Sequence, residues 1–134
     1  MTVLQPELDD PLLARFWEEA ARNRLSFQRC RDCGYLRWPP AALCPRCWSR
    51  RAEWTEVDHG GAVWSFGVYE RAFDPTFEAA VPYVVALVEL DAGPRMIANV
   101  VGVDPDAVEV GMRVTAVFEP ASDDAALVNF RPAA

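Results

Sequence analysis

The sequence contains no lysine: all 13 basic residues are arginine, against 20 acidic ones. No apolar run approaches the ~20 residues that a membrane-spanning helix needs, so a helical membrane protein is excluded. The opening MTVLQPELDD lacks the positive start and apolar stretch of a secretory signal, and a cytoplasmic location is expected. There is one histidine, His59, and its neighbours Gly60 and Gly61 place it in a turn, where an exposed side chain is expected. No G-x-S-x-G, no phosphate-cradling glycine loop and no H-E-x-x-H occurs. Ser26, Ser49, Ser65 and Ser122 lack an activating motif, and Asp123-Asp124 reads as a solvated turn. Without those groups, catalysis by this chain alone is not expected. Repeats and low-complexity segments are also missing.

What is present divides the chain in two. The formal net charge is −7 over 134 residues, of which residues 1–54 carry +2 and residues 55–134 carry −9. An acidic second half has no electrostatic footprint for nucleic acid, whose binding rests on neutralising phosphates. At 51% hydrophobic residues, the chain has enough apolar material for a real core.

The four cysteines, Cys30, Cys33, Cys44 and Cys47, form C-x2-C, ten residues, then C-x2-C. Each pair closes a knuckle; Gly34 after the first permits a left-handed backbone, and Pro45 stiffens the second. Two knuckles present four thiolates tetrahedrally to one Zn²⁺. Disulfides are disfavoured in a cytoplasmic chain. Iron uses the same ligand set, so spacing leaves it open, with zinc the expected ion. Four cysteines fill the coordination shell, which makes the metal structural. Six arginines near the knuckles (Arg29, Arg31, Arg37, Arg46, Arg50, Arg51) are expected to offset the thiolate charge.

Ahead of the knuckles, residues 11–23 have helical periodicity: Leu12, Leu13, Phe16, Trp17 and Ala20 share a face, with Asp10 as N-cap and Pro11 at the first position. That face must dock either on the chain's own body or on a partner. After the ribbon the period becomes two. Residues 54–58 lead into the turn His59-Gly60-Gly61, and in residues 62–70 Trp64, Phe66 and Val68 are expected on one face. Strands follow at 83–90, 95–101, 112–118 and 126–130, the first two joined by Asp91-Ala92-Gly93-Pro94. Five short strands in about 80 residues predict a small closed barrel of the OB type. Residues 83–90 are apolar on both faces, whereas a barrel strand facing water should alternate. The loop of residues 72–82 carries Phe73 and Phe77 with few charges. Tyr83, Val85, Leu87, Phe73 and Phe77 thus offer apolar area with no evident internal use, a candidate partner contact.

The helix with Phe16-Trp17, the ribbon RCRDCGYLRWPPAALCPRC and the stretch PYVVALVELDAGPRMIANVVGVDPDAVEVGMRVTAVFEP resemble the zinc-ribbon/OB-fold acyl-CoA-associated proteins, long catalogued as a domain of unknown function. The resemblance covers nearly the whole chain. It implies a mainly β architecture: an N-terminal helical segment (1–24), a rubredoxin-like zinc ribbon (25–53) with one structural zinc, and a five-stranded OB-fold (54–134). It further implies a non-catalytic subunit in a hetero-oligomer with a thiolase-like enzyme: an acyltransferase, a thiolase or a retro-aldolase of sterol side-chain degradation. There the small subunit supports the complex or the acyl-CoA passage, and Arg71 is placed to meet a CoA phosphate. Related domains occur fused to acyl-CoA hydratases. The competing expectation is a nucleic-acid-binding module, since ribbons and OB-folds serve that role elsewhere; the acidic barrel weighs against it.

Overall fold

Asp10 sits in an extended conformation and its carboxylate accepts a hydrogen bond from the Leu12 N–H at 2.9 Å, with Pro11 opening the helix. This is the start that the sequence predicts. The structure, a computed structural model, describes residues 8–71, 75 and 81–133. Helix α1 spans Pro11–Ala20, three residues short of the expected end. It closes because Asn23 turns left-handed at φ +60, while the Asn23 and Arg24 N–H groups bond the carbonyls of Ala20 and Glu19.

Strand β1 (Leu25–Cys30) is the centre of a three-stranded antiparallel sheet, flanked by β2 (Leu36–Arg37) and β3 (Ala52–Val57). β3 pairs with β1 along its full length and runs through residues 53 and 54. Its hydrogen bonds thereby carry the ribbon into the segment that leads to the barrel. The apolar stripe of α1 docks on the chain's own body, against β1 and a barrel strand, β8 (Ala125–Pro132). Phe16 and Ala20 are fully buried. The Phe16 ring lies 4.4 Å from Trp38 and 6.0 Å from Phe27, between centroids. Burying one such ring contributes about 1.5–3 kcal/mol, enough to hold a helix too short to persist alone.

Glu19 pins the same corner. Burial works against its charge, but the Arg24 hydrogen bond at 2.6 Å, with Arg15 at 3.2 Å, holds its carboxyl below the usual carboxylate range. Glu19→Gln should destabilise the fold by about 1 kcal/mol at pH 7, a modest figure because both arginines reach solvent. A lowered carboxyl pKa stabilises the fold above the unfolded value and loses that effect as pH falls through the folded one. Urea denaturation at pH 7 and pH 3 should therefore show the two proteins converging in acid.

Strands β4 (Gly60–Tyr69), β5 (Tyr83–Leu90), β6 (Arg95–Val100), β7 (Arg113–Ser122) and β8 close a barrel in the order β4-β5-β6-β8-β7. The β6–β8 contact is parallel, at Val100 and Phe130, and the other pairs are antiparallel. Val63, Val84, Val88, Leu90, Val114 and Phe130 fill the interior. This is the five-stranded OB-fold barrel expected.

Three local expectations are corrected. β4 begins at Gly60, so the glycine pair belongs to the strand. At Gly61 a Cβ would approach the Glu89 carbonyl oxygen to 2.7 Å, so close passage of β5 demands glycine. A bulge between Val63 and Ser65 breaks the alternation. It turns Trp64 outward, 50% exposed, with the Arg95 guanidinium 4.3 Å from its ring. His59 is half-buried and packs edge-on against Phe118 at 5.1 Å, rather than standing in solvent. Among the described residues, no helix is long and apolar enough to cross a membrane.

Candidate functional site

The two cysteine knuckles are built alike. The Gly34 N–H bonds the Cys30 carbonyl and the Cys30 N–H bonds the Tyr35 carbonyl, both at 2.9 Å. In the second, the Trp48 N–H bonds the Cys44 carbonyl and the Cys44 N–H bonds the Ser49 carbonyl, again at 2.9 Å. All four Sγ atoms lie within 4.8 Å of one another, with Cys30–Cys47 at 3.5 Å and Cys33–Cys44 at 3.6 Å. A zinc tetrathiolate with Zn–S near 2.3 Å sets its sulfurs roughly 3.8 Å apart, so the donor set fits that ion. Cys30 and Cys44 are buried, whereas Cys33 and Cys47 are exposed. The ribbon is thus a structural zinc site whose four positions are all taken by protein sulfur.

The thiols do not ionise alike. The backbone N–H of Cys33, helped by that of Asp32, pulls Cys30 down to about 6 against its burial. The Ser49 N–H favours the Cys47 thiolate, but the neighbouring sulfurs and desolvation push it up to about 12. Zinc binding near neutral pH therefore displaces protons, and zinc retention weakens as pH falls.

The arginines divide. Arg51 faces Asp32 at 3.1 Å and Arg31 faces Glu53 at 3.9 Å. Arg29 donates to the Gly34 carbonyl at 3.0 Å, and Arg46 lies 4.5 Å above the Tyr35 ring. Arg37 departs from the expectation of a charge screening the sulfurs: it is buried and donates to Gln28 Oε1 at 3.0 Å and the Ala41 carbonyl at 2.8 Å. It builds the loop between the knuckles. A cleft of about 650 Å³ separates Arg29, Tyr35 and Arg46 from the β5–β6 turn at Ala92–Pro94.

The second feature is the outer face of β4–β5–β6. Tyr83, Val85 and Leu87 are half-buried on the outward side of β5, while Val84, Ala86, Val88 and Leu90 point into the core. Tyr83 pairs with Tyr69, their rings stacked at 5.2 Å, and Leu87 pairs with Ile97. Ile97 is 71% exposed. Between them lies an open groove of about 330 Å³ lined by Gly67, Tyr69, Val85, Leu87 and Ile97. Arg71 is exposed just past the end of β4, beside a hollow formed with Val68, Tyr69 and Glu70. Phe73 and Phe77 lie outside the described residues. Tyr69 and Ile97 escaped the sequence reading, yet Ile97 was recoverable. Met96, Ala98 and Val100 face inward, so a period of two turns Ile97 outward.

A four-cysteine ribbon joined to a five-stranded barrel defines a zinc-ribbon/OB-fold protein. Residues 17–53 match the ChsH2 rubredoxin-like zinc ribbon domain, and residues 54–119 match the ChsH2 C-terminal OB-fold domain. A DUF35 domain-containing scaffold protein of Methanocaldococcus jannaschii is 34% identical over 87% of this chain and 84% of its own length. A chain of the solved Ltp2-ChsH2(DUF35) aldolase is 38% identical, covers 100% of this chain and 99% of that one, and superposes with a TM-score of 0.81. The chain belongs to the DUF35 family, in its ChsH2 zinc-ribbon/OB form. A probable enoyl-CoA hydratase alpha subunit of Thermomonospora curvata is 44% identical over 88% of this chain. The chain spans only 37% of that relative's length.

Proposed function

We propose that this chain is a non-catalytic accessory subunit of an acyl-CoA enzyme, docking a thiolase-like subunit through the outer face of β4–β5–β6. The observation that carries the reading is the apolar outward strip of Tyr83, Val85 and Leu87 on β5, a strand that is also apolar inside, continued by Ile97 on β6. A solvated outer face would alternate with polar residues. The relatives support it: one is a chain of an aldolase with Ltp2, one is named a scaffold, and one an alpha subunit. The partner reaction fits an aldolase, thiolase or acyltransferase, with Arg71 at the edge of the contact and acyl-CoA passing near it. Co-expression with the thiolase-like subunit of the same organism tests this. A stable hetero-oligomer at moderate salt is expected, and two proteins that elute separately would refute it.

The alternative, a nucleic-acid-binding module, makes an opposite forecast. At physiological ionic strength the chain should not bind single-stranded DNA or RNA, because the −9 of residues 55–134 repels phosphates. Micromolar binding that falls steeply with added salt, read by fluorescence anisotropy, would favour the module instead.

A further inference from the structure

The two knuckles share one hydrogen-bond pattern but not one residue at its left-handed position. After Cys33 stands Gly34 at φ +79; after Cys47 stands Trp48 at φ +64. Glycine occupies that region without penalty, whereas the Cβ of an L-residue meets steric resistance there. Tryptophan is a poor solution to the backbone problem that Gly34 solves fourteen residues earlier. Nor does packing explain it, since Trp48 is 76% exposed, more than any other large apolar side chain in the described residues. A knuckle that needed only to hold zinc would have no use for an indole standing in water on a strained backbone.

Its surroundings define what it meets. Arg46 and Arg50 are exposed on either side, and Arg50 makes no ion pair among the described residues. Six arginines of residues 29–53 outweigh Asp32, Glu53 and the dianionic zinc tetrathiolate, so the ribbon stays positive while residues 55–134 carry −9. We propose that Trp48 is an aromatic anchor which seats in an apolar pocket rimmed by carboxylates on the partner subunit. The inference rests on the accessory-subunit reading and adds a second contact, at the ribbon, to that of the barrel face. The opposed charges of ribbon and barrel orient the approach, because an acidic rim attracts the knuckle and is repelled by the barrel.

The experiment uses the zinc-loaded full chain and its thiolase-like subunit in titration calorimetry. Trp48→Gly should fold, keep one zinc and melt no lower than about 2 °C below the parent, because glycine suits the backbone. Its Kd for the partner should nevertheless rise at least about tenfold, as for a central tryptophan in an interface. Trp48→Asn, which also tolerates the left-handed region, should behave in the same way, and Trp48→Phe should recover most of the affinity. Arg50→Glu should slow association, with the deficit narrowing as salt is raised. Parent-like affinity of the folded Trp48→Gly protein would overturn the anchor while leaving the accessory reading intact. Absence of any complex with the parent chain would overturn that reading and the anchor together. Two other occupants would also overturn the anchor: a dT12 oligonucleotide whose binding is lost in Trp48→Gly, or a self-association that this variant abolishes.

Discussion

Cys33→Ser or Cys44→Ser should release the zinc and unfold residues 25–50, while the barrel partly survives. The magnitude follows from the metal. Structural zinc binding supplies about 10–16 kcal/mol in isolated zinc-finger peptides, as much as the whole folding stability of a typical domain. The ribbon has little else to replace it: β2 is two residues long, and the second knuckle has no strand of its own. The apolar cluster of Phe16, Phe27 and Trp38 does not replace the metal, because Phe27 and Trp38 belong to the segment that the zinc holds in place. The barrel closes through its own strands and has Val63, Val88, Val114 and Phe130 inside. Metal analysis should therefore read close to one zinc for the parent and near none for the variants. Amide exchange should be fast in the ribbon and slow in β5 and β7. Four oxidised cysteines and no metal, in protein prepared under reducing, metal-replete conditions, would contradict the assignment.

Ile97→Glu and Leu87→Glu should abolish binding of the thiolase-like subunit. Each places a carboxylate in the groove on the outer face of β4, β5 and β6, where an apolar contact has to be dry. A central apolar anchor is worth about 2 kcal/mol or more, and a buried unpaired charge adds to the loss, so Kd should rise more than about 30-fold. Ile97 is the cleaner site. At 71% exposure it makes few internal contacts, so Ile97→Glu should keep its zinc and its melting temperature. Leu87 is half-buried, and its substitution reports on both the fold and the interface. If Ile97→Glu binds the partner like the parent, the β4–β5–β6 face is not the contact. If it unfolds, the face is internal core.

Different parts of the molecule were legible to different degrees, for physical reasons. The zinc centre was readable because C-x2-C pairs fix ligand geometry within a few residues, and the four sulfurs converge without help from distant chain. The start of α1 was equally local, set by Asp10 and Pro11. Its end was not, because Asn23 stops the helix by a left-handed turn that leaves no mark on hydrophobic periodicity. The barrel strands followed from a period of two until a bulge intervened: at Trp64 one extra residue reversed the expected face. The burial of His59 is not legible locally, because its packing partner, Phe118, lies 59 residues away. The role of Arg37 is not legible either, because the oxygens it serves, on Gln28 and Ala41, are brought to it only by the folded loop. The outward face of β5 was recognised by its excess of apolar residues. Its full extent needed the register that sets Ile97 beside Leu87 and Tyr69 beside Tyr83.

The central claim is that this chain supports an acyl-CoA reaction without performing it. The most direct test is a turnover assay on the purified chain, the thiolase-like subunit and their complex, with the same acyl-CoA substrate. The account predicts no turnover by this chain alone and turnover by the complex. Ile97→Glu should reduce the complex's rate only through lost assembly, so that saturating concentrations restore it. Turnover by the isolated chain, or an unchanged rate of the thiolase-like subunit whether or not this chain is present, would contradict it.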